Sequence, residues 1–266
     1  MICQADTSIA CNFCYLSLDF DYYFLSNHTS YIAVNRLLGT KPVFPLYDEN
    51  PTRITPYLTY GLIGMNVLVF LHELQLSNEQ LNQFLQLYAV IPEQLTINFA
   101  SEWTTLFTSQ FLHGGWWHLI SNMLFLFVFG NNIEDRLGHF KYLIFYLSCG
   151  AFAALCQWLI SMNSQIPSLG ASGAIFGILG AYIIAFPHSR VVTLIFLGIF
   201  VTTVRIPALF LIGFFFIQNV ISGVASLQAA ANMSVETGGI AYWAHIGGFV
   251  AGVVLGPLLG LRRRDY

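Results

Sequence analysis

Charge is what this sequence has least of. Lys, Arg, Asp and Glu make up 9% of 266 residues, against about 25% in an average soluble domain, and 56% of the residues are apolar. Such a chain cannot dress a globular surface for water, so its solvent is read as lipid. A net charge of −3 with ten scattered basic residues excludes a nucleic-acid-binding surface and a strongly acidic partner. Cysteine is also sparse. Cys3, Cys11 and Cys14 contain one C-x-x-C but fall short of the four ligands of a structural zinc site, so no metal is expected. Cys149 and Cys156 share one helical face in an apolar run and read as small packing residues rather than a redox pair.

The few basic residues are ordered along the chain. They fall in four groups: Arg36, Lys41 and Arg53; Arg136 and Lys141; Arg190 and Arg205; and Arg262, Arg263 and Arg264. Between them lie apolar segments near Tyr57 to Leu74, Trp116 to Gly130, Phe140 to Met162, Ala171 to Phe186, Pro207 to Ile221 and Tyr242 to Leu261. A crossing takes roughly 17 to 25 helical residues, and some of these segments are shorter. Basic loops on alternate sides predict six crossings with both termini in the cytoplasm. The run Val191 to Val204 is flanked by Arg190 and Arg205 and is expected to be an interfacial loop, not a seventh crossing. The expected fold is thus an all-α membrane protein, a six-helix bundle over residues 43–266. Residues 1–42 are expected to be a poorly ordered extension, since they lack the pattern of a signal peptide.

Polar groups inside spanning segments are costly and mark function by default. Segments two, four and six all enter from the outer side, and near their starts stand His118 and Asn122, then Ser172, then His245. His118 and Asn122 are four residues apart and share a helical face. Ser172 falls at a helix start, where free N–H groups and the helix dipole favour a developing oxyanion. The same dipole at the start of segment six keeps the His245 ring neutral, as a general base requires. Small residues at four-residue spacing, Gly173 and Gly177 against Ala244, Gly248, Gly252 and Gly256, permit a close contact that brings Ser172 to His245. No Asp or Glu lies at this depth, so the arrangement is a Ser/His pair without an acid. The short second and fourth segments and the polar loop Ser161 to Leu169 let water reach Ser172.

Three motifs carry a resemblance. Gly170-Ala171-Ser172-Gly173, Ala244-His245-Ile246-Gly247-Gly248, and His113-Gly114-Gly115-Trp116-Trp117-His118 with Asn122 resemble the signatures of rhomboid intramembrane proteases, in the family's order, within about Pro45 to Arg264. The resemblance implies a six-helix bundle that hydrolyses peptide bonds in or beside transmembrane segments, near the outer face, with no metal, ATP or other cofactor. Its implied partners are transmembrane protein substrates and the lipid bilayer, with no nucleic acid. Ser172 becomes the nucleophile, His245 the base, and His118 and Asn122 the oxyanion donors. Gly170, Gly173 and Phe176 support them, Phe176 packing near the histidine. The first loop, roughly Leu76 to Gly115, is expected partly in the outer interface.

The chain departs from the family at Trp103-Thr104-Thr105, where the family often has Trp-Arg. Glu134 and Arg136 match a Glu-x-Arg element and are read as structural, and His113 as loop architecture. The expected location is a cell membrane, plasma or inner, as a multi-pass protein. An H-E-x-x-H is absent and no Asp lies in an apolar segment, which sets aside zinc and aspartyl intramembrane proteases. The alternative is a non-catalytic relative that holds membrane segments in the same groove; such relatives typically lack the serine or the histidine, and this chain keeps both.

Overall fold

Each of the six apolar segments contains a helix. The computed structural model describes residues 43–197, 200–233 and 241–262; the extension 1–42 with Cys3, Cys11 and Cys14, Glu236, Arg263 and Arg264 lie outside them. Strand β1 (Val43–Asp48) leads to α1 (Tyr57–Glu73). Helix α2 (Asn78–Tyr88) opens on a capping box between Ser77 and Gln80, and α3 (Pro92–Ile97) on a proline whose missing N–H costs nothing there. Single turns at Phe99–Glu102, Thr105–Thr108 and Ser109–Phe111 close this first loop.

Helix α4 (Trp116–Phe125) continues without a break through a π-helical stretch, Leu126–Gly130, into α5 (Asn131–Leu137). The combined run is about 33 Å long at the α-helical rise. Gly138, at φ 75°, turns the chain in a conformation that only glycine adopts readily, and α6 (His139–Ile160) returns. Next come α7 (Ser172–Ala185), strands β2 (Arg190–Leu197) and β3 (Phe200–Pro207), α8 (Ala208–Met233) and α9 (Tyr242–Leu258). By length and composition, α6 and residues Ala208–Leu227 of α8 are able to cross a membrane.

The fold is mostly helical but not all-α, which corrects the sequence expectation. Strands β1, β2 and β3 form one antiparallel sheet in that order, and the run expected as an interfacial loop is its hairpin. The segment from Arg190 to Pro207 is dense in Val, Ile and Thr, residues that suit a pleated strand. Because β2 is buried from Val191 to Thr193, it lacks the apolar–polar alternation of a half-exposed strand.

Helix α7 is the centre of the bundle, with almost every residue from Gly173 to Tyr182 buried. It touches α9 through glycine on both sides. A Cβ on Gly248 would strike the Gly173 carbonyl, one on Gly252 the Gly177 main chain, and one on Gly180 the Phe249 carbonyl. The third face belongs to α6, where Cys149 fills the space over Gly177 and Cys156 the space over Gly247. Both thiols are free, as packing residues would be.

Two carboxylates tie down the end of the bundle far from Ser172. Glu134, fully buried, accepts from the N–H groups of Leu58 (2.9 Å) and Thr59 (2.8 Å) and from the Thr59 hydroxyl (2.7 Å). It thereby caps α1, whose own N-cap position is Pro56 with no side chain to offer. The Glu-x-Arg element is therefore structural. Asp48 accepts from the Tyr182 hydroxyl (2.5 Å), Asn132 Nδ2 (2.7 Å) and Asn50 Nδ2 (3.1 Å), joining the sheet to α5 and α7.

Burial outweighs those donors and raises the Asp48 carboxyl from 3.8 to about 6. The folded chain then holds this proton more tightly than the unfolded chain. Its contribution to stability falls as pH rises from 3.8 to about 6, and the cost is fully present above that. Compared with Asp48→Asn, wild type is expected to lose melting temperature as pH rises from about 5 to about 7.5, as scanning calorimetry of the pair would show.

Candidate active site

The loop before α7 is fixed by main-chain bonds to the first loop. Val90 N–H donates to Ser168 O (3.1 Å), Ser168 N–H to Val90 O (2.8 Å), Glu93 N–H to Ser164 O (3.0 Å) and Gly170 N–H to Ser109 O (2.9 Å). Gly170 then turns at φ 122°, and a Cβ there would lie 2.8 Å from the His118 ring and 3.8 Å from Ser172 Oγ. Its lack of a side chain serves both the turn and the space above Ser172. Ser172 is the first residue of α7, at a helix start whose first N–H groups have no partner within the helix.

His245 sits in the first turn of α9, and its Nε2 lies 2.8 Å from Ser172 Oγ. The glycine contacts between α7 and α9 make this approach possible. The imidazole stacks flat on Phe176, ring centroids 4.4 Å apart and planes 8° apart. On its other edge, Nδ1 is 2.7 Å from Asn219 Oδ1 of α8.

His118 and Asn122 stand on α4. His118 Nδ1 accepts from Gly114 N–H at 3.4 Å, which leaves its Nε2 facing Gly170 beside the serine. Asn122 is buried, and its Nδ2 has no hydrogen-bond partner. His113 is buried with its ring 5.0 Å from that of His118, and its main-chain N–H donates to the Glu73 carboxylate (3.3 Å). That pairing ties the loop to α1. Gly173 packs on Ala153 and the main chain of Gly248, keeping α7 against both α6 and α9.

Asn219 is the site neighbour that sequence reasoning missed. Its signal was present: Gln218-Asn219 is a polar pair in an otherwise apolar segment. An amide carries no charge, so it stands out less in an apolar segment than an acid would. Among the described residues, no group of three His, Cys, Asp or Glu side chains is placed to hold a metal.

A bundle of apolar helices in close glycine contact, with a serine hydroxyl bonded to an imidazole at two helix starts, defines a class of membrane protein built around a serine–histidine pair. Comparison with known proteins gives the family of this chain. Residues 100–262 match the Rhomboid domain, and the chain belongs to the rhomboid family. It is 29% identical over 220 residues to Rhomboid protein 1, mitochondrial, of Saccharomyces cerevisiae, covering 81% of this chain and 56% of the yeast protein. It is 30% identical over 187 residues to Rhomboid-like protein 11, chloroplastic, of Arabidopsis thaliana, covering 67% of this chain and 60% of the plant protein. To Rhomboid protease GluP of Bacillus subtilis it is 29% identical over 206 residues, covering 77% of this chain and 35% of that protein.

The matched part is thus less than two thirds of each of these relatives. Membership implies an integral membrane protein. The organelles in the relatives' names are the mitochondrion and the chloroplast, so the expectation of a plasma or inner cell membrane draws no support from them.

Proposed function

We propose that this chain is an intramembrane serine endopeptidase that cleaves transmembrane segments of other membrane proteins near the outer face. The observation that carries the reading is the 2.8 Å bond between Ser172 Oγ and His245 Nε2 at the start of a buried helix. In this reading Ser172 attacks the scissile carbonyl while its proton passes to His245 Nε2. The oxyanion forms beside the Ser172 N–H, His118 and Asn122; the unpartnered Asn122 Nδ2 supports that role. His245 then gives its proton to the leaving amine, and water attacks the acyl-serine with His245 again as base. A relative bears the name protease, which is in keeping with this chemistry.

Six crossings with both termini in the cytoplasm remain the topology we favour. Helix α7, with 14 residues, is about 21 Å long, shorter than the roughly 30 Å of a hydrocarbon core. Its start, with Ser172, then lies below the outer surface, in a bilayer that the short helix thins locally. Exposed Ile97, Phe99 and Trp103 in the first loop suit the outer interface.

The test is cleavage of a panel of single-span substrates by the purified chain in liposomes, together with covalent labelling of Ser172 by a serine-directed fluorophosphonate. Fragments ending near the outer face and a label on Ser172 are expected. No cleavage and no label, with the same panel cut by an active rhomboid protease, would overturn the reading in favour of a non-catalytic segment-binding protein.

A further inference from the structure

Resting on the protease reading, we infer that Asn219 is a positioning residue that sets the tautomer and orientation of His245, taking the place that a carboxylate holds in soluble serine proteases. Sequence offers no acid at this depth, and the amide sits where the acid would. Asn219 comes from α8, a helix that carries neither Ser172 nor His245, and its Oδ1 is 2.7 Å from His245 Nδ1.

The direction of the hydrogen bonds follows from one fixed end. Asn219 Nδ2 donates to the Phe215 carbonyl at 2.8 Å, and a carbonyl only accepts. The amide therefore presents its oxygen to the imidazole, and Nδ1 must carry the proton. In the neutral ring Nε2 is then left with its lone pair, aimed at the Ser172 hydroxyl 2.8 Å away. The chain runs from Ser172 O–H to His245, from His245 N–H to Asn219, and from Asn219 N–H to Phe215 O. During attack the serine proton moves to Nε2, while the Nδ1 proton stays on His245, bonded to Oδ1. The amide takes up no proton at any step.

The Phe215 carbonyl is what makes an asparagine serviceable here. In a soluble serine protease, exchanging the buried aspartate for asparagine lowers kcat by about 10⁴, because the ring is left in the wrong tautomer. In this chain the NH₂ group is engaged elsewhere and cannot present itself to the ring. A neutral acceptor also avoids placing a carboxylate among membrane helices, where a charge is expensive.

The experiment follows kcat and KM separately in liposomes, and reads the His245 tautomer by ¹⁵N NMR of histidine-labelled protein, its signal assigned by loss in His245→Ala. Wild type is expected to show N–H at Nδ1. Asn219→Leu, similar in size but without an acceptor, is expected to lower kcat about 10- to 100-fold, the range seen when the partner orienting a metal-bound imidazole is lost. KM should stay unchanged and the tautomer should become mixed. Asn219→Asp, neutral at this depth and able to donate to Phe215 O while accepting from Nδ1, should recover most of kcat. An Nδ1 without a proton in wild type would overturn the inference without any variant, and so would Asn219→Leu with wild-type kcat and tautomer. A wild type that neither cleaves nor labels would instead defeat the protease reading, and its tautomer would still be measured.

Discussion

Ser172→Ala is expected to lower cleavage by a factor on the order of 10⁶, and adding His245→Ala is expected to take away almost nothing more. In the proposed mechanism the two groups act on one proton, which passes from Ser172 Oγ to the His245 Nε2 that lies 2.8 Å from it. Once the nucleophile is gone the base has no proton to take, and without the base the hydroxyl is a weak nucleophile. Initial rates in liposomes for wild type, both single variants and the double variant give the cycle. A double variant reduced by the product of the single factors would mean independent roles. Folding is not the confounder for the serine. Ala fits the start of a helix, and one lost hydrogen bond costs about 1 kcal/mol. His245→Ala also removes the ring stacked on Phe176, so its melting temperature should fall further than that of Ser172→Ala.

The second large effect lies about two helical turns from the chemistry. Gly252→Val is expected to abolish both fluorophosphonate labelling and cleavage, with a large drop in melting temperature. A Cβ at Gly252 meets the Gly177 main chain, which has no rotamer to turn aside. Overpacking a tight core commonly costs about 1–3 kcal/mol and more where the obstacle cannot yield. Helices α7 and α9 must separate, and they are the two that carry Ser172 and His245. A misplacement of about 1 Å at a reacting pair costs about 100-fold in rate. Gly213→Ala in α8 is the control, because nothing lies within 4 Å of a Cβ there. It should be neutral or stabilise by up to about 1 kcal/mol. Equal behaviour of the two variants would show that glycine contact does not hold the pair together.

The positions of the helices were legible because charge is so scarce that its few groups act as punctuation. The glycine spacing in segments four and six was legible too, since a four-residue period states which face is small. What sequence did not reveal depends on partners far along the chain. Strand β1 pairs Val43 with Ile195, and no local pattern announces a strand whose neighbour is that distant. Asn219 stands 26 residues before His245 on another helix, and only the packing of α8 against α9 turns it toward the ring. Polar Asn131, Asn132, Glu134, Asp135 and Arg136 hid the full length of the second helix, which runs on past Gly130 to Leu137.

Glu134 is made 75 residues after the Thr59 N–H that it caps. During synthesis the ribosome therefore releases the start of α1 before the carboxylate that completes it. Until the far end of the next long helix arrives, the first N–H groups of α1 must find water or lipid headgroups, since bare amides are not tolerated in hydrocarbon. Strand β1 waits longer still, for a hairpin that follows α7. The beginning of the described chain is thus among the last parts to be finished, and an arrested nascent chain ending before Glu134 would carry an unsealed first helix.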